Sequence, residues 1–318
     1  MFLGIEIGGT KLQLGIGPGD GQLLGSWRGT VDVAVGGEGI RSQIVAAVPD
    51  LLASAGIDRD ELRGVGVGFG GPVDDDTRSV IKSHQIAGWD GFPLADWLGE
   101  SLGLSAVLGN DADVGGLAEA LFGAGKRHSP VFYMTIGSGI GGGLIVNGDI
   151  LRGTGRGAAE IGHLKVRDPR TNDGTLETLE NIASGWAIGR YAHQCIVHAP
   201  DIGGKLIALA GRANAITAET VAAAAAAGDE LATRILGHAL DALADAICAV
   251  IVLVCPRRVV IGGGVSLMGD QLLFGPLRQR IAERVFPPFA GLTEVVPAAL
   301  GELVVVHGAL ALARRRLG

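Results

Sequence analysis

The chain has 318 residues, carries a net charge of −7 and is 47% hydrophobic, which is enough apolar material for the cores of two domains. The acidic balance, with no basic stripe along the chain, excludes nucleic acid as the expected partner. Glycine, with 54 residues, is about twice as frequent as usual and clusters between apolar runs, as in phosphate-binding turns.

From the sequence we expect neither a membrane span nor a leader. No apolar run reaches the length of a span without Gly, Pro or a charge breaking it. The richest run, Ala246 to Cys255, is about half that length and is predicted to be a buried helix. Residues 1–3 lead straight into a strand, and the three cysteines lack metal-ligand spacing. We therefore expect a cytoplasmic protein with no membrane partner.

The first half of the chain alternates strands and helices. Its opening segment predicts two strands, 2–7 and 12–16, joined by the turn Gly8, Gly9, Thr10 and Lys11. The same reasoning predicts the following elements in order: a strand near 22–29, a helix ending at Gly56, a strand in 62–69, a helix over 92–102, a strand over 105–110, and a helix from Asp111.

The second half begins with the same pattern. Residues 131–149 again predict strand, glycine turn and strand, and a helix-rich region follows. Residues 257–265 predict a strand that ends in glycines, and residues 302–316 predict a strand or turn followed by a short helix. This weak duplication indicates two α/β lobes, each opened by a glycine hairpin, on either side of a cleft.

Three glycine turns are candidates for binding a polyphosphate such as ATP. They are residues 8–11, the turn Gly137, Ser138 and Gly139, and the turn Gly262, Gly263 and Gly264. Backbone N–H groups in such turns can converge on an anion. Any one of these turns alone is more simply a hairpin; together, with Thr10-Lys11 and Ser138, they favour phosphate. Two G-x-G-x-x-G matches, at Gly66 and Gly137, open no helix and so do not indicate a dinucleotide site.

Five segments in this order carry a family resemblance: "GIEIGGTKLQLGI", "GNDADVGGLAE", "TIGSGIGGGLIVNGDILRG", "GAAEIGHLKV" and "LENIASG". They resemble the ROK family of sugar kinases and repressors, within the actin/hexokinase/Hsp70-like ATPases. The resemblance implies a two-lobed actin-like (ribonuclease H-like) α/β fold with a mixed five-stranded sheet in each lobe and a cleft between them. It places the lobes at 1–113 with 298–318 and at 114–297. Because the chain begins at the phosphate hairpin, the kinase branch is expected.

The resemblance also implies a phosphoryl-transfer site. Asp111 is expected to be the general base, although an acid in "GNDAD" before a helix would by itself suggest an N-cap. Glu6 is expected to place Mg²⁺, through water, beside ATP; the alternative is an ion pair with a nearby cation. The expected sugar ligands are Gly71, Asn110, Asp111, Glu160, His163 and Glu180, with Gln85 as a further candidate where relatives have Asn.

One departure from the family concerns zinc. Many relatives follow the histidine of "EIGH" with three cysteines of a structural zinc site, whereas the corresponding positions here hold Thr171, Asp173 and Thr178. Thr is a poor structural zinc ligand, so no zinc is expected.

The implied activity is ATP-dependent phosphorylation of the 6-hydroxyl of a hexose, with glucose first. N-acetylglucosamine, N-acetylmannosamine, fructose and allose stay open as substrates, and a non-catalytic sugar-binding regulator stays open as another class. A homodimer is expected because dimers are common among the relatives.

Overall fold

The computed structural model describes residues 1–74, 76–83, 85–154, 157–199 and 203–318. The chain divides into two compact units. The first unit comprises Met1–Tyr133, Gly143–Ala159 and Ala299–Gly318, and the second comprises Met134–Gly142 and Glu160–Ala298. The lobe boundaries expected from the sequence stay a prediction.

The described residues form strands and α-helices that alternate along much of the chain. The strands are β1 Phe2–Ile7, β2 Lys11–Gly17, β3 Gly25–Thr30, β4 Val65–Phe69, β5 Val73–Asp74, β6 Ser79–Val80, β7 Ala106–Asn110, β8 Val131–Ile136, β9 Ile140–Val146, β10 Asp149–Ile150, β11 Lys165–Arg167, β12 Leu176–Thr178, β13 Arg258–Gly262 and β14 Glu294–Pro297. The helices are α1 Gly36–Ala55, α2 Leu94–Leu102, α3 Asp111–Leu121, α4 Leu179–Ala183, α5 Gly185–His198, α6 Gly204–Ala210, α7 Ala218–Ala226, α8 Glu230–Val254, α9 Gly275–Arg284 and α10 Val304–Leu317.

The first five-stranded sheet is mixed and has the order β3-β2-β1-β4-β7. Strand β2 pairs antiparallel with β1 and β3, whereas β1, β4 and β7 run parallel to one another. The carboxyl ends of β1, β4 and β7 therefore lie along one edge of the sheet, which is where ligands bind in sheets of this kind.

Helix α10 packs on the first sheet through glycines. A Cβ on Gly66 of β4 would lie 1.9 Å from the carbonyl oxygen of Ala309, and one on Gly4 of β1 would lie 2.9 Å from that of Val306. Alternation of valine and glycine in β4 thus lets the helix backbone approach the strand closely. The valines at 304–306, for which a strand or turn was one expectation, are helical, and Val305 and Val306 are buried.

The second five-stranded sheet has the order β10-β9-β8-β13-β14 and is also mixed, because β9 and β10 are antiparallel while β13 and β14 are parallel. Two mixed five-stranded sheets with flanking helices confirm the predicted α/β fold class.

The alanine-rich region is helical, as expected, but it forms two helices. Gly228, with φ 76°, separates α7 from α8, and the side chain of Asp229 caps α8 by accepting the N–H of Ala232 at 2.8 Å. Helix α8 is long and apolar enough to cross a membrane, with a mean hydropathy of 1.9 in its richest window. That window is 61% buried inside the protein, as in the core helix of a globular domain.

Candidate active site

The first unit brings several predicted site residues to the carboxyl edge of β1, β4 and β7. Gly70 follows β4 and donates its N–H to the carbonyl of Ile7 at 2.8 Å. A Cβ placed on Gly70 would lie 3.5 Å from Oδ2 of Asp111 and 3.6 Å from the Cα of Gly8. The predicted base and the predicted phosphate hairpin thus flank the same glycine.

The hairpin at 8–11 closes on a buried carboxylate. Gly8 donates its N–H to the carbonyl of Lys11 at 3.0 Å, and the Thr10 side chain is exposed. Glu6 is only 6% exposed, and Lys11 Nζ lies 3.1 Å from its Oε1. Lys11 Nζ also donates to Oε1 of the buried Gln13 at 2.9 Å. The ion pair that was the alternative interpretation of Glu6 is therefore present.

One oxygen of Glu6 nevertheless stays available for a cation. Its Oε2 is buried and has no hydrogen-bond partner among the described residues. Burial raises the pKa of Glu6, and the charge and hydrogen bond of Lys11 oppose that rise. A hard carboxylate oxygen without a partner, next to the predicted phosphate hairpin, fits the chemistry of Mg²⁺, which binds oxygen ligands and keeps several waters.

At the junction of β7 and α3, the neighbouring residues Asn110 and Asp111 have different roles. The Asn110 side chain is the N-cap: its Oδ1 accepts the N–H of Ala112 at 2.9 Å and that of Asp113 at 3.4 Å. Its Nδ2 donates to the carbonyl of Gly71 at 3.1 Å, so these two predicted sugar ligands are in contact. Asp111 is the first residue of α3, and its Oδ1 accepts the N–H of Ala112 at 2.8 Å. Because Asn110 caps the helix, Asp111 is not needed for that role.

Gln85, the further candidate for sugar binding, reaches the hairpin. Its Oε1 lies 1.4 Å from where a Cβ on Gly9 would be, so a larger residue at position 9 would require this exposed side chain to move. The segment that carries Gln85 is anchored to α1, where Arg41 donates to the carbonyl of Gly88 at 3.1 Å and stacks over the buried Trp89.

The second unit brings two of the predicted phosphate turns together. Gly137 to Gly139 connect β8 to β9, and the exposed Ser138 lies at the tip. Gly263 follows β13 with φ 83°, and a Cβ there would lie 2.5 Å from the carbonyl oxygen of Ile136, the last residue of β8. Gly264 and Gly137, by contrast, have no atom within 4 Å of a built Cβ, so this surface is open. Gly262 is the buried last residue of β13.

Glu180 is held at the second turn. Its Oε2 accepts the N–H of Ile140 at 2.8 Å and lies 2.4 Å from where a Cβ on Gly139 would be. Gly185 donates its N–H to the carbonyl of Gly137 at 2.8 Å, which fixes the start of α5 against the same turn. The orientation of Glu180 therefore depends on the glycines of the turn as well as on α4.

Glu160, His163 and Glu180 form one electrostatic group within the second unit. Partial burial raises the pKa of Glu160, His163 lowers it, and Glu180 raises it further. The chain enters this group through Ala159, a non-glycine residue with φ 66°, a conformation that costs roughly 1 kcal/mol or more. Strain of this kind is typical of functional sites.

Interactions among protein groups hold the hairpin β11–β12, where the family resemblance implies zinc in many relatives. Asp168 and Arg170 form a two-pronged ion pair with Nε–Oδ1 at 2.8 Å and Nη2–Oδ2 at 2.7 Å. Nη1 of Arg170 donates to the carbonyl of Asn181 in α4 at 3.0 Å, and its guanidinium lies over the Tyr191 ring.

The three positions that align with zinc cysteines make local hydrogen bonds. Thr171 donates to the carbonyl of Asp168 at 3.3 Å, and Thr178 Oγ1 to Oε1 of Glu177 at 3.3 Å. Hydrogen bonds from the hydroxyl and the N–H of Thr175 lower the pKa of Asp173 to about 2. No group of three potential metal ligands occurs among the residues that the structure describes. The absence of zinc stays a prediction.

The sequence analysis missed Asp168, Arg170 and Glu119. The first two stand two residues apart in "RDPRT", a spacing that could have indicated an ion pair across a turn. Glu119 is fully buried and accepts N–H groups from Ala124, Ala299 and Leu300 at 2.7 to 2.9 Å. Its partners lie up to 181 residues away, so no local signal reveals it.

Known proteins resemble this chain over nearly its whole length. The model of the ROK family matches residues 2–316. The chain is 33% identical to a glucokinase of Thermotoga maritima over 100% of this chain and 98% of the relative, and 32% identical to a glucokinase of Halalkalibacterium halodurans over 96% and 93%. A crystal structure of a ROK family glucokinase from Streptomyces griseus, in complex with glucose and AMPPNP, superposes with a TM-score of 0.81 at 31% identity and covers 99% of both chains.

Proposed function

The chain belongs to the ROK family, and from this membership and the geometry of its first unit we propose that it is an ATP-dependent hexose kinase acting on the 6-hydroxyl of glucose. Relatives of 32% and 33% identity over nearly the whole chain are glucokinases, and a glucokinase with the same fold binds glucose and an ATP analogue. These three comparisons support glucose over the other hexoses.

The observation that carries the proposal is the position of Asp111. Its Oδ2 lies 3.5 Å, and the Cα of Gly8 lies 3.6 Å, from the position that a Cβ on Gly70 would occupy. A carboxylate beside a phosphate hairpin can accept a proton from a hydroxyl whose oxygen attacks a bound phosphate.

The reaction follows from that position. Asp111 accepts the proton of the 6-hydroxyl as its oxygen forms a bond to the γ-phosphorus, while the bond from that phosphorus to the β–γ bridging oxygen breaks and ADP leaves. The proposed phosphate ligands in the first unit are the backbone N–H groups of residues 8–11 and the exposed hydroxyl of Thr10. Those in the second unit are the backbone N–H groups of residues 137–139 and 262–264 and the exposed hydroxyl of Ser138.

Mg²⁺ is part of the proposal because Glu6 retains an oxygen for it. Glu6 would hold the ion through water by its Oε2, and Lys11 would keep Oε1 in place. The bound ion would neutralise charge on the transferring phosphoryl group.

The two units supply the proposed sugar ligands separately. From the first unit these are Gly71, Asn110 and Asp111, with Gln85 as a further candidate, and from the second unit Glu160, His163 and Glu180. Burial raises the pKa of Glu160 above that of a free glutamate.

We also propose a cytoplasmic homodimer. At the end of α8, Val252 and Leu253 are 53% and 81% exposed, an unusual position for neighbouring apolar side chains on a core helix. Light scattering after gel filtration measures the mass directly: a particle of the 32.4 kDa monomer mass would rule out the dimer.

Turnover tests the activity. The protein is incubated with Mg-ATP and a panel of glucose, N-acetylglucosamine, N-acetylmannosamine, fructose and allose, and ADP release is followed. Glucose should give the highest kcat/KM. Binding of glucose without turnover of any sugar would instead indicate a regulator.

A substitution tests the base. Asp111→Asn should lower kcat about 10²-fold to 10⁴-fold, the usual contribution of a general base, while glucose affinity measured by calorimetry stays within about threefold. The control is Asp60→Asn, at an exposed acid of the same unit, which should keep full activity. An Asn variant at 111 with wild-type kcat would falsify the assignment.

A further inference from the structure

An exposed tryptophan lies beside the two predicted phosphate turns of the second unit. Trp186 is the second residue of α5, and 58% of its surface is accessible. Gly185, the residue before it, donates its N–H to the carbonyl of Gly137 in the first of these turns at 2.8 Å. A Cβ on Gly185 would lie 3.4 Å from Cγ2 of Val265, which follows the other turn. Trp186 therefore comes directly after a residue that contacts both turns.

The helix that carries Trp186 does not depend on this ring. Helix α5 is capped by the buried Ser184, whose Oγ accepts the N–H of Ala187 at 3.1 Å. It packs through buried residues that include Ile188 and Ala192. Trp is a poorer helix former than Ala, and a ring in water adds little to the core. Replacing Trp186 should therefore leave α5 folded, so that a role of the ring in binding can be measured.

Arg190, one turn further along α5, holds the Trp186 ring in place. Its guanidinium carbon lies 4.1 Å from the centre of the ring, a cation–π contact between residues four positions apart on one helix face. Nη2 of Arg190 also approaches the carbonyl oxygen of Asn181 in α4 at 3.5 Å. A ring that a neighbour already holds loses less conformational entropy when a ligand stacks on it. Trp186 thus offers a preorganised stacking surface.

The backbone next to this ring is open to a phosphate chain. Cβ atoms built on Gly137 and Gly264 would meet no atom within 4 Å. Consecutive Cα atoms are about 3.8 Å apart, so the Trp186 side chain begins one residue from the backbone that contacts Gly137. A nucleotide whose phosphates bind at these turns would therefore have its base within reach of the ring.

We propose that Trp186 stacks on the adenine base of ATP, a role that rests on the proposed kinase function. Stacking of a base on an aromatic side chain contributes to affinity without selecting strongly among bases, because every base has a π face. The two turns would bind the phosphates, and Trp186 would bind the base. Trp186 would thereby distinguish a nucleotide from an inorganic polyphosphate, which has no base.

Calorimetric titration of the full chain with Mg²⁺ and without sugar tests the stacking. The ligands are AMPPNP, an ATP analogue, and inorganic tripolyphosphate, which has the phosphates but no base. Trp186→Ala should weaken AMPPNP binding about 5-fold to 150-fold, the usual effect of removing one aromatic ring from a base, and should change tripolyphosphate binding by less than about twofold. Trp186→Phe, which keeps a ring, should stay within about threefold of the wild type for AMPPNP.

A residue of the same helix provides the matched control. Val197 is 59% exposed, close to the value for Trp186, and lies near the other end of α5. Val197→Ala should bind both ligands as the wild type does. Tryptophan fluorescence gives a second readout: AMPPNP should quench the emission of the wild type, and Trp186→Phe should lose most of this quenching.

The outcomes separate this inference from the proposed function. Wild-type AMPPNP affinity in Trp186→Ala, an equal loss for both ligands, an equal loss in Val197→Ala, or full quenching in Trp186→Phe would overturn the stacking and leave the kinase proposal standing. A selective loss of AMPPNP binding, with no turnover of any hexose by the wild type, would support the stacking and contradict the kinase. A wild type that binds no AMPPNP would overturn both. Melting curves of each variant show that it is folded.

Discussion

The ion pair between Asp168 and Arg170 gives the sharpest test of how the second unit is held together. Replacing Arg170 with Ala removes two charge-assisted bonds to Asp168 and one to the carbonyl of Asn181. The side chains of Arg170 and Asp168 are only 15% and 8% exposed, so the variant leaves a carboxylate buried without its cation.

The magnitude follows from that burial. Removing one partner of a buried pair costs about 3–5 kcal/mol in free energy of unfolding. For a protein of this size that corresponds to a fall in melting temperature on the order of 10 °C. Because Asn181 follows Glu180 in α4, the KM for the sugar should rise more than kcat falls.

The contribution of the ion pair between Asp168 and Arg170 to stability changes with pH in one direction. Burial raises the pKa of Asp168, but the hydrogen bonds and charge of Arg170 outweigh it, so this pKa lies below its usual value. A carboxylate with a lowered pKa in the folded state stabilises the protein above its unfolded pKa of about 4. That contribution is lost as the pH falls from about 4 through the lower pKa that Asp168 has in the folded protein. The stability difference between wild type and Arg170→Ala should therefore shrink below about pH 4.

Urea unfolding of wild type, Arg170→Ala and Arg167→Ala measures the effect. Arg167 is an exposed arginine on the same hairpin and should change the free energy of unfolding by less than about 0.5 kcal/mol. A loss of less than about 1 kcal/mol in Arg170→Ala, or one equal to that of Arg167→Ala, would refute the reasoning.

Three further predictions concern single sites. Gly263→Ala should lower the free energy of unfolding by at least about 1 kcal/mol and weaken ATP binding, because its φ is 83° and a Cβ would meet the backbone of Ile136. Gly264→Ala, where a Cβ would meet no atom within 4 Å, should leave the free energy of unfolding in urea unchanged. Glu119→Gln should cost about 1–3 kcal/mol in urea unfolding because its amide nitrogen cannot accept an N–H; wild-type stability would contradict this. Glu6→Gln should raise the Mg²⁺ concentration needed for half-maximal turnover at least tenfold, and a variant with unchanged Mg²⁺ dependence would exclude the role. Because the pKa of Glu6 is raised, the Mg²⁺ affinity of the wild type should begin to fall, as the pH is lowered, at a higher pH than it would for an ordinary carboxylate.

Local patterns were sufficient to predict most of the elements near the site. The hairpin after β1, the strand that ends at Asn110 and the helix that begins at Asp111 are encoded by neighbouring residues: apolar alternation, glycine at turns and a capping side chain. Local pattern did not decide the state of Val304 to Val306, whose branched side chains suit a strand. These residues are helical because glycines in β1 and β4 allow α10 to pack against the sheet.

The sequence by itself determined the family, the order of strands and helices, and which residues stand at the ends of parallel strands, because each of these depends on residues close together in the chain. Only the tertiary structure decided that Asn110 contacts Gly71, that Gln85 lies against Gly9, and that Arg170 joins a hairpin to α4. These contacts join residues at least 11 positions apart, and their energies come from burial and charge that exist only once the chain has folded.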